Sequence, residues 1–247
     1  MSRSDGTQDD GKTLGLPQGA ALRGNLILSI AFAGYFWIVY GIGNFVAARA
    51  VERHHVALPF EQAIPFVPWA AVIYLTVTPL FCLAPFVFRT PERLLPLFVT
   101  MCVEVSIAGI IFCLFPVELS FPPHEVAGAA AFFYTLASAV VLTYNCVPSL
   151  HVALALTCAF AYASVGGWRW RVLVWGWAGA IVASTLLTHQ HHLADLAGGM
   201  ILAALAVRYV PPRVRHWLAT RPDAPAAQAT LATREPSTPA GSPSPMR

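Results

Sequence analysis

Residues 95–115 read Leu-Pro-Leu-Phe-Val-Thr-Met-Cys-Val-Glu-Val-Ser-Ile-Ala-Gly-Ile-Ile-Phe-Cys-Leu-Phe. This run decides the fold class. Its length matches the roughly 20 apolar residues that a helix needs to cross a ~30 Å hydrocarbon layer. It carries one charge, Glu104, and its apolar residues do not alternate with polar ones. A barrel strand would alternate over about ten residues, and lipid admits no other way than helix or closed barrel of satisfying the backbone. The run therefore predicts a membrane-spanning helix.

Similar runs lie at about 25–48, 65–88, 149–166, 172–189 and 193–210, so the expected architecture is an all-α integral membrane protein with a bundle of six transmembrane helices. The uncharged stretch 126–144 is rich in Ala, Ser and Thr and follows Pro116, Pro122 and Pro123. It is expected to form a re-entrant or interfacial helix before the fourth span. Composition agrees: 57% of the residues are hydrophobic and 11% charged, against about 25% charged in soluble domains. The ends differ. Residues 1–22 are polar and 211–247 rich in Pro, Ala and Ser, compositions that bury too little surface to order themselves. Both are expected to be disordered tails around a membrane-embedded catalytic domain at 23–210. Ala48-Arg49-Ala50 imitates a signal cleavage site, but the run before it is longer than the usual 7–15 residues of a signal sequence, so it reads as an anchor.

The net charge of +3 comes from arginines that flank the apolar runs rather than form a stripe, which argues against nucleic acid as a partner. With six spans, Arg23, Arg89, Arg93, Arg169, Arg171, Arg208, Arg213 and Arg215 fall on one side, which the positive-inside rule makes cytoplasmic. Both termini are then cytoplasmic, in a membrane of the bacterial inner type. Cys82, Cys102, Cys113 and Cys158 sit in apolar segments as small hydrophobes, and no CxxC metal pair or disulfide framework is visible.

Chemistry is concentrated in Asn145-Cys146-Val147-Pro148-Ser149-Leu150-His151 and Thr188-His189-Gln190-His191-His192-Leu193-Ala194-Asp195, each where a loop becomes a helix. Two spans separate them, so both reach one membrane face, the extracytoplasmic one in the six-span scheme. Pro148 and Ser149 suit the first positions of a helix, whose free N–H groups make a seat for phosphate. His191 and Asp195 are four apart, a spacing that lets a carboxylate hold one imidazole nitrogen while the other points outward. His192, three from Asp195, satisfies the same argument.

Pro-Ser-Leu-His followed about forty residues later by His-x-x-x-Asp-Leu-Ala-Gly resembles the type-2 phosphatidic acid phosphatase superfamily, and most closely its branch of inositol phosphorylceramide synthases and sphingomyelin-synthase-like transferases. That resemblance selects His191 as nucleophile, with Asp195 orienting it and His151 as the general acid and base. It implies a phosphohistidine intermediate on a membrane lipid substrate, either a phospholipid or a lipid phosphate, and requires neither metal nor organic cofactor. Hydrolysis and head-group transfer to a ceramide or diacylglycerol both remain open. Asn145, Pro148 and Ser149 are the candidate substrate-binding residues.

Two family features are missing. The Lys-x6-Arg-Pro motif is absent, since the only lysine is Lys12, and the third motif begins Ser184-Thr185 instead of Ser-Arg. Arg49, Arg53, His124, His189 and His192 on the outer face are the candidates to counter phosphate charge in their place, Arg49 and Arg53 first among them. Rival readings are an intramembrane serine protease using Ser149, a zinc hydrolase using His151, His189, His191 and Asp195, and a transporter. Gly198 and Gly199 are expected to permit close helix packing. The oligomeric state is not readable from the sequence.

Overall fold

The computed structural model describes residues 16–140 and 144–221, so most of both tails lies outside the described residues. The helices are α1 (Gly19–Ala47), α2 (Ala70–Leu75), α3 (Val77–Val87), α4 (Pro91–Leu114), α5 (Ala129–Val140), α6 (Leu150–Ala163), α7 (Trp168–Leu187) and α8 (Leu193–Ala219), with a short 3-10 helix at Pro59–Ala63. There is no strand among the described residues, only a bridge between His54 and Val117. α2 and α3 are halves of one apolar helix, Ala70–Val87. Pro79, near the start of α3, lacks the N–H that would continue the ladder, and the junction is held by the indole of Trp177, which donates to Thr76 Oγ1.

Five helices are long and apolar enough to cross a membrane: α1, α2 with α3, α4, α7 and α8. The protein is thus an integral membrane protein, with one fewer full-length span than the sequence predicts. The difference lies at the expected fourth span, where α6 has 14 residues, or about 21 Å at 1.5 Å per residue. Its surroundings explain the short length. Val152, Ala153, Leu154, Ala155, Cys158 and Ala159 are all buried, because α6 runs through the middle of the bundle against α3, α4, α7 and α8. A helix wrapped by protein need not match the thickness of lipid. α5, 12 residues long, covers α2 through Ala137, Phe133 and Tyr134, which pack on Ala71 and Tyr74.

The carboxy-terminal boundary is corrected. α8 continues through Pro211 and Pro212 to Ala219, so residues 211–219 are helical. Val207, Pro211 and Arg215, at helical spacing, line a recess against Arg93, Pro96 and Leu97 of α4, and this packed face offsets the ladder bonds that the prolines forfeit. Gly198 and Gly199 bring α8 against the start of α6, as the sequence predicts. A Cβ at Gly199 would stand 2.5 Å from the Ser149 carbonyl oxygen, and one at Gly198 3.2 Å from Pro148 Cβ. These two glycines set how closely the histidine-bearing segments approach.

Candidate active site

α7 ends at Thr188, and His189 adopts φ 53°, the left-handed conformation in which histidine is among the enriched residue types. The chain reverses there, so that the N–H groups of Gln190 and His191 both donate to the Thr185 carbonyl. His192 then caps α8, and Asp195, in its first turn, reaches back to accept the His192 N–H at 2.8 Å. The same oxygen, Oδ2, lies 3.2 Å from His191 Nδ1. His191 therefore stands ahead of the helix rather than on its face, and the four-residue spacing works across a capping turn. A carboxylate only accepts, so the proton of this bond sits on Nδ1 and Nε2 holds the lone pair. His191 Nε2 has no hydrogen-bond partner among the described residues, although the side chain is only 3% exposed.

The backbone couples the two motifs, since the Ser149 N–H donates to the Asp195 carbonyl at 3.0 Å. One residue into α6, His151 places its ring 5.7 Å from that of His191, centroid to centroid. Tyr74 holds His151 from behind, its hydroxyl 3.3 Å from Nδ1 and its ring stacked at 4.5 Å. His151, His191 and Asn145 line one cavity of about 210 Å³ whose remaining walls are almost wholly apolar. Asn145 donates to the Tyr40 carbonyl, leaving its buried Oδ1 without a partner among the described residues.

Other expected residues are placed elsewhere. Ser149 Oγ is used in capping α6, accepting from the Val152 N–H, and Pro148 packs below Gly198; neither lines the cavity. Arg49 bonds the Phe45 carbonyl and lies over the Phe45 ring, and Arg53 bonds the Ala48 carbonyl 4.0 Å from Glu118. No lysine or arginine is among the described residues that line the cavity. The four proposed zinc ligands do not converge, because His189 donates from Nε2 to the Ile64 carbonyl and accepts from His124 at Nδ1. Burial and the neighbouring His189 lower the His124 pKa from its ordinary value, in keeping with a neutral donor.

Glu61 is the residue that sequence reasoning missed. It is 1% exposed, and its carboxylate takes the His192 Nδ1 proton at 2.5 Å and the Leu193 N–H at 3.1 Å. The other ring nitrogen of His192 accepts from the Ser120 N–H at 3.1 Å. Both nitrogens of His192 are thus occupied, whereas His191 keeps one without a partner among the described residues and lines the cavity. The charge rule counts only Lys and Arg and so passes over an acid between two helices; nothing local tells that Glu61 meets a residue 131 positions on. Glu61→Gln would set an amide N–H₂ against one of two buried donors. Thermal or chemical unfolding in detergent should show a loss of about 2 kcal/mol, and turnover should fall because the α8 cap shifts; unchanged stability would remove Glu61 from this role.

Comparison with known proteins gives one family match: the model described as "PAP2 superfamily" matches residues 50–209, well over half of the chain. No individually curated protein matches it.

Proposed function

The chain belongs to the PAP2 superfamily, and from that premise and the environment of His191 we propose a membrane lipid phosphatase or phosphotransferase that works through a phosphohistidine. His191 Nε2 attacks phosphorus, the bond to the lipid or head-group oxygen breaks, and His151 supplies the proton that oxygen needs. In the second step His151 takes a proton from water or an acceptor hydroxyl, whose oxygen displaces His191. Asp195 keeps the Nδ1 proton in place throughout. The scheme closes without a metal or organic cofactor.

One observation carries this reading: an imidazole that lines a cavity beside a second histidine has one nitrogen held by a buried carboxylate and the other without a hydrogen-bond partner among the described residues. Asn145 is a further polar group beside the histidines. Ser149 and Pro148 act by shaping the first turn of α6. We place the catalytic domain at 23–219, extended from 210 to the end of α8, and count α6 as a crossing, with both termini cytoplasmic and the histidines outward in an inner-type membrane. In support, Glu61, Ser120 and His192 meet at one end of the bundle, while Arg93 and Arg215 share a recess elsewhere.

Head-group transfer is the second reading, favoured by the lack of a cationic side chain among the described lining residues. A phosphodiester brings one negative charge where a phosphomonoester brings up to two, and an uncompensated buried charge is costly. Purified protein given labelled phosphatidic acid or labelled phospholipid, with and without ceramide or diacylglycerol, separates the two. Free phosphate means hydrolysis, and a new labelled phospholipid that needs the acceptor means transfer. Neither product from any substrate would defeat the proposal.

A further inference from the structure

The family match begins at residue 50, yet much of the cavity wall belongs to α1, which ends at Ala47. Ser29, Phe32, Ala33, Phe36, Trp37 and Tyr40 recur at helical spacing and form one stripe along it. From Ser29 to Tyr40 the stripe runs about 16 Å at 1.5 Å per residue. Its ends are fixed by contacts. The Tyr40 carbonyl accepts from Asn145 beside the histidines. At the other end Phe32 stacks on Phe98 of α4 at 5.3 Å, and Asn25, one turn from Ser29, holds the carbonyls of Pro85 and Phe88 where α3 ends. The cavity is therefore polar at one end and apolar along its length.

It also has a side. Phe32 and Tyr40 are buried and form part of the floor, whereas Ala33 and Trp37 on α1 and Thr78 and Cys82 on α3 line the same cavity and are exposed. These rim residues lie on faces of two apolar helices that meet lipid, and apart from Trp37 they are small. The opening is a slot between α1 and α3, facing sideways into the hydrocarbon layer.

We propose that this slot takes the hydrocarbon chain of the lipid substrate and that α1, outside the family match, sets which chain lengths are accepted. The proposal rests on the functional reading above for the chemistry at the polar end. The bilayer is already as apolar as the slot, so moving a chain between them gains little. Selection is steric: a chain that seats fully brings its phosphate level with His191, and one that cannot seat holds it away. Antiparallel to α1, α3 starts near His151 through the neighbouring Tyr74, so Cys82 and Ala33 both lie in the far half of the slot.

Cys82→Trp and Ala33→Trp fill that half from opposite rims, at exposed positions where the fold has little to lose. Full-length purified protein would be assayed in micelles with palmitoyl and octanoyl forms of one lipid phosphate. The palmitoyl to octanoyl ratio of kcat/KM should fall about tenfold or more in both variants. A ratio that stays at the wild-type value in both overturns the proposal. A second readout needs no turnover: a phospholipid with a diazirine in mid-chain, equimolar with wild-type protein in detergent, should form adducts on Phe32, Ala33 and Phe36. Adducts confined to outward residues such as Ile27, Ile30 and Ile38 overturn it equally. An inactive protein with adducts in the slot would sink the functional reading and leave the chain slot standing.

Discussion

His191→Ala should lower turnover by about ten-thousandfold or more, with substrate binding largely kept. The size follows from what is removed. In the proposed scheme His191 is the bond-forming atom rather than a stabiliser, and His192 cannot replace it, because Glu61 and the Ser120 N–H occupy both of its nitrogens. The substitution leaves the α8 cap intact, since Asp195 still accepts the His192 N–H. Wild-type protein quenched in base during turnover of phosphorus-labelled lipid should carry an acid-labile label on His191. Label surviving on the alanine variant, or turnover within tenfold of wild type, would show that another group attacks phosphorus.

Asp195→Asn should cost about a hundredfold to a thousandfold in turnover with little change in fold. One oxygen, Oδ2, accepts both the His192 N–H and the His191 Nδ1–H, and the amide oxygen of asparagine can accept both in its place, so the cap and the tautomer are kept. What is lost is the negative charge beside an imidazole that becomes positive as its Nε2 bonds to phosphorus, and one preorganised charge of this kind is worth about a hundredfold to a thousandfold. The check is kcat for Asp195→Asn beside Asp195→Ala, which removes the acceptor as well and should cost more. If the asparagine variant equals wild type, the charge of the carboxylate does not assist the attack.

How much of this was legible in the sequence depends on range. Span-length apolar runs announce themselves, so α1, α4, α7 and α8 lie near their expected places. α6 is shorter than its run suggests because a hydropathy run cannot report whether its neighbours are lipid or protein; its buried alanines Ala153, Ala155 and Ala159 pack inside the bundle. The His191 and Asp195 pairing was visible as a spacing, though the bond spans a capping turn instead of a helix face. The spacing alone left His191 and His192 equal and only the family resemblance chose between them; the physical difference, Glu61 and Ser120 occupying both nitrogens of His192, comes from distant loops. Arg49 and Arg53 follow from side of membrane alone, and neither is among the described residues that line the cavity. Each is held by a carbonyl four or five residues before it, which a side-level argument does not resolve.

The hydrogen bond from the Ser149 N–H to the Asp195 carbonyl has a consequence for biosynthesis. α8 leaves the ribosome after the helices α1 to α7, and it carries Asp195 while its cap fixes His191. In the proposed scheme, until it docks against α6 at Gly198 and Gly199 the earlier helices hold a slot and a lone His151 without a nucleophile. A chain still being inserted would then admit lipid without reacting with it, and catalytic competence would arrive in one step, when α8 docks.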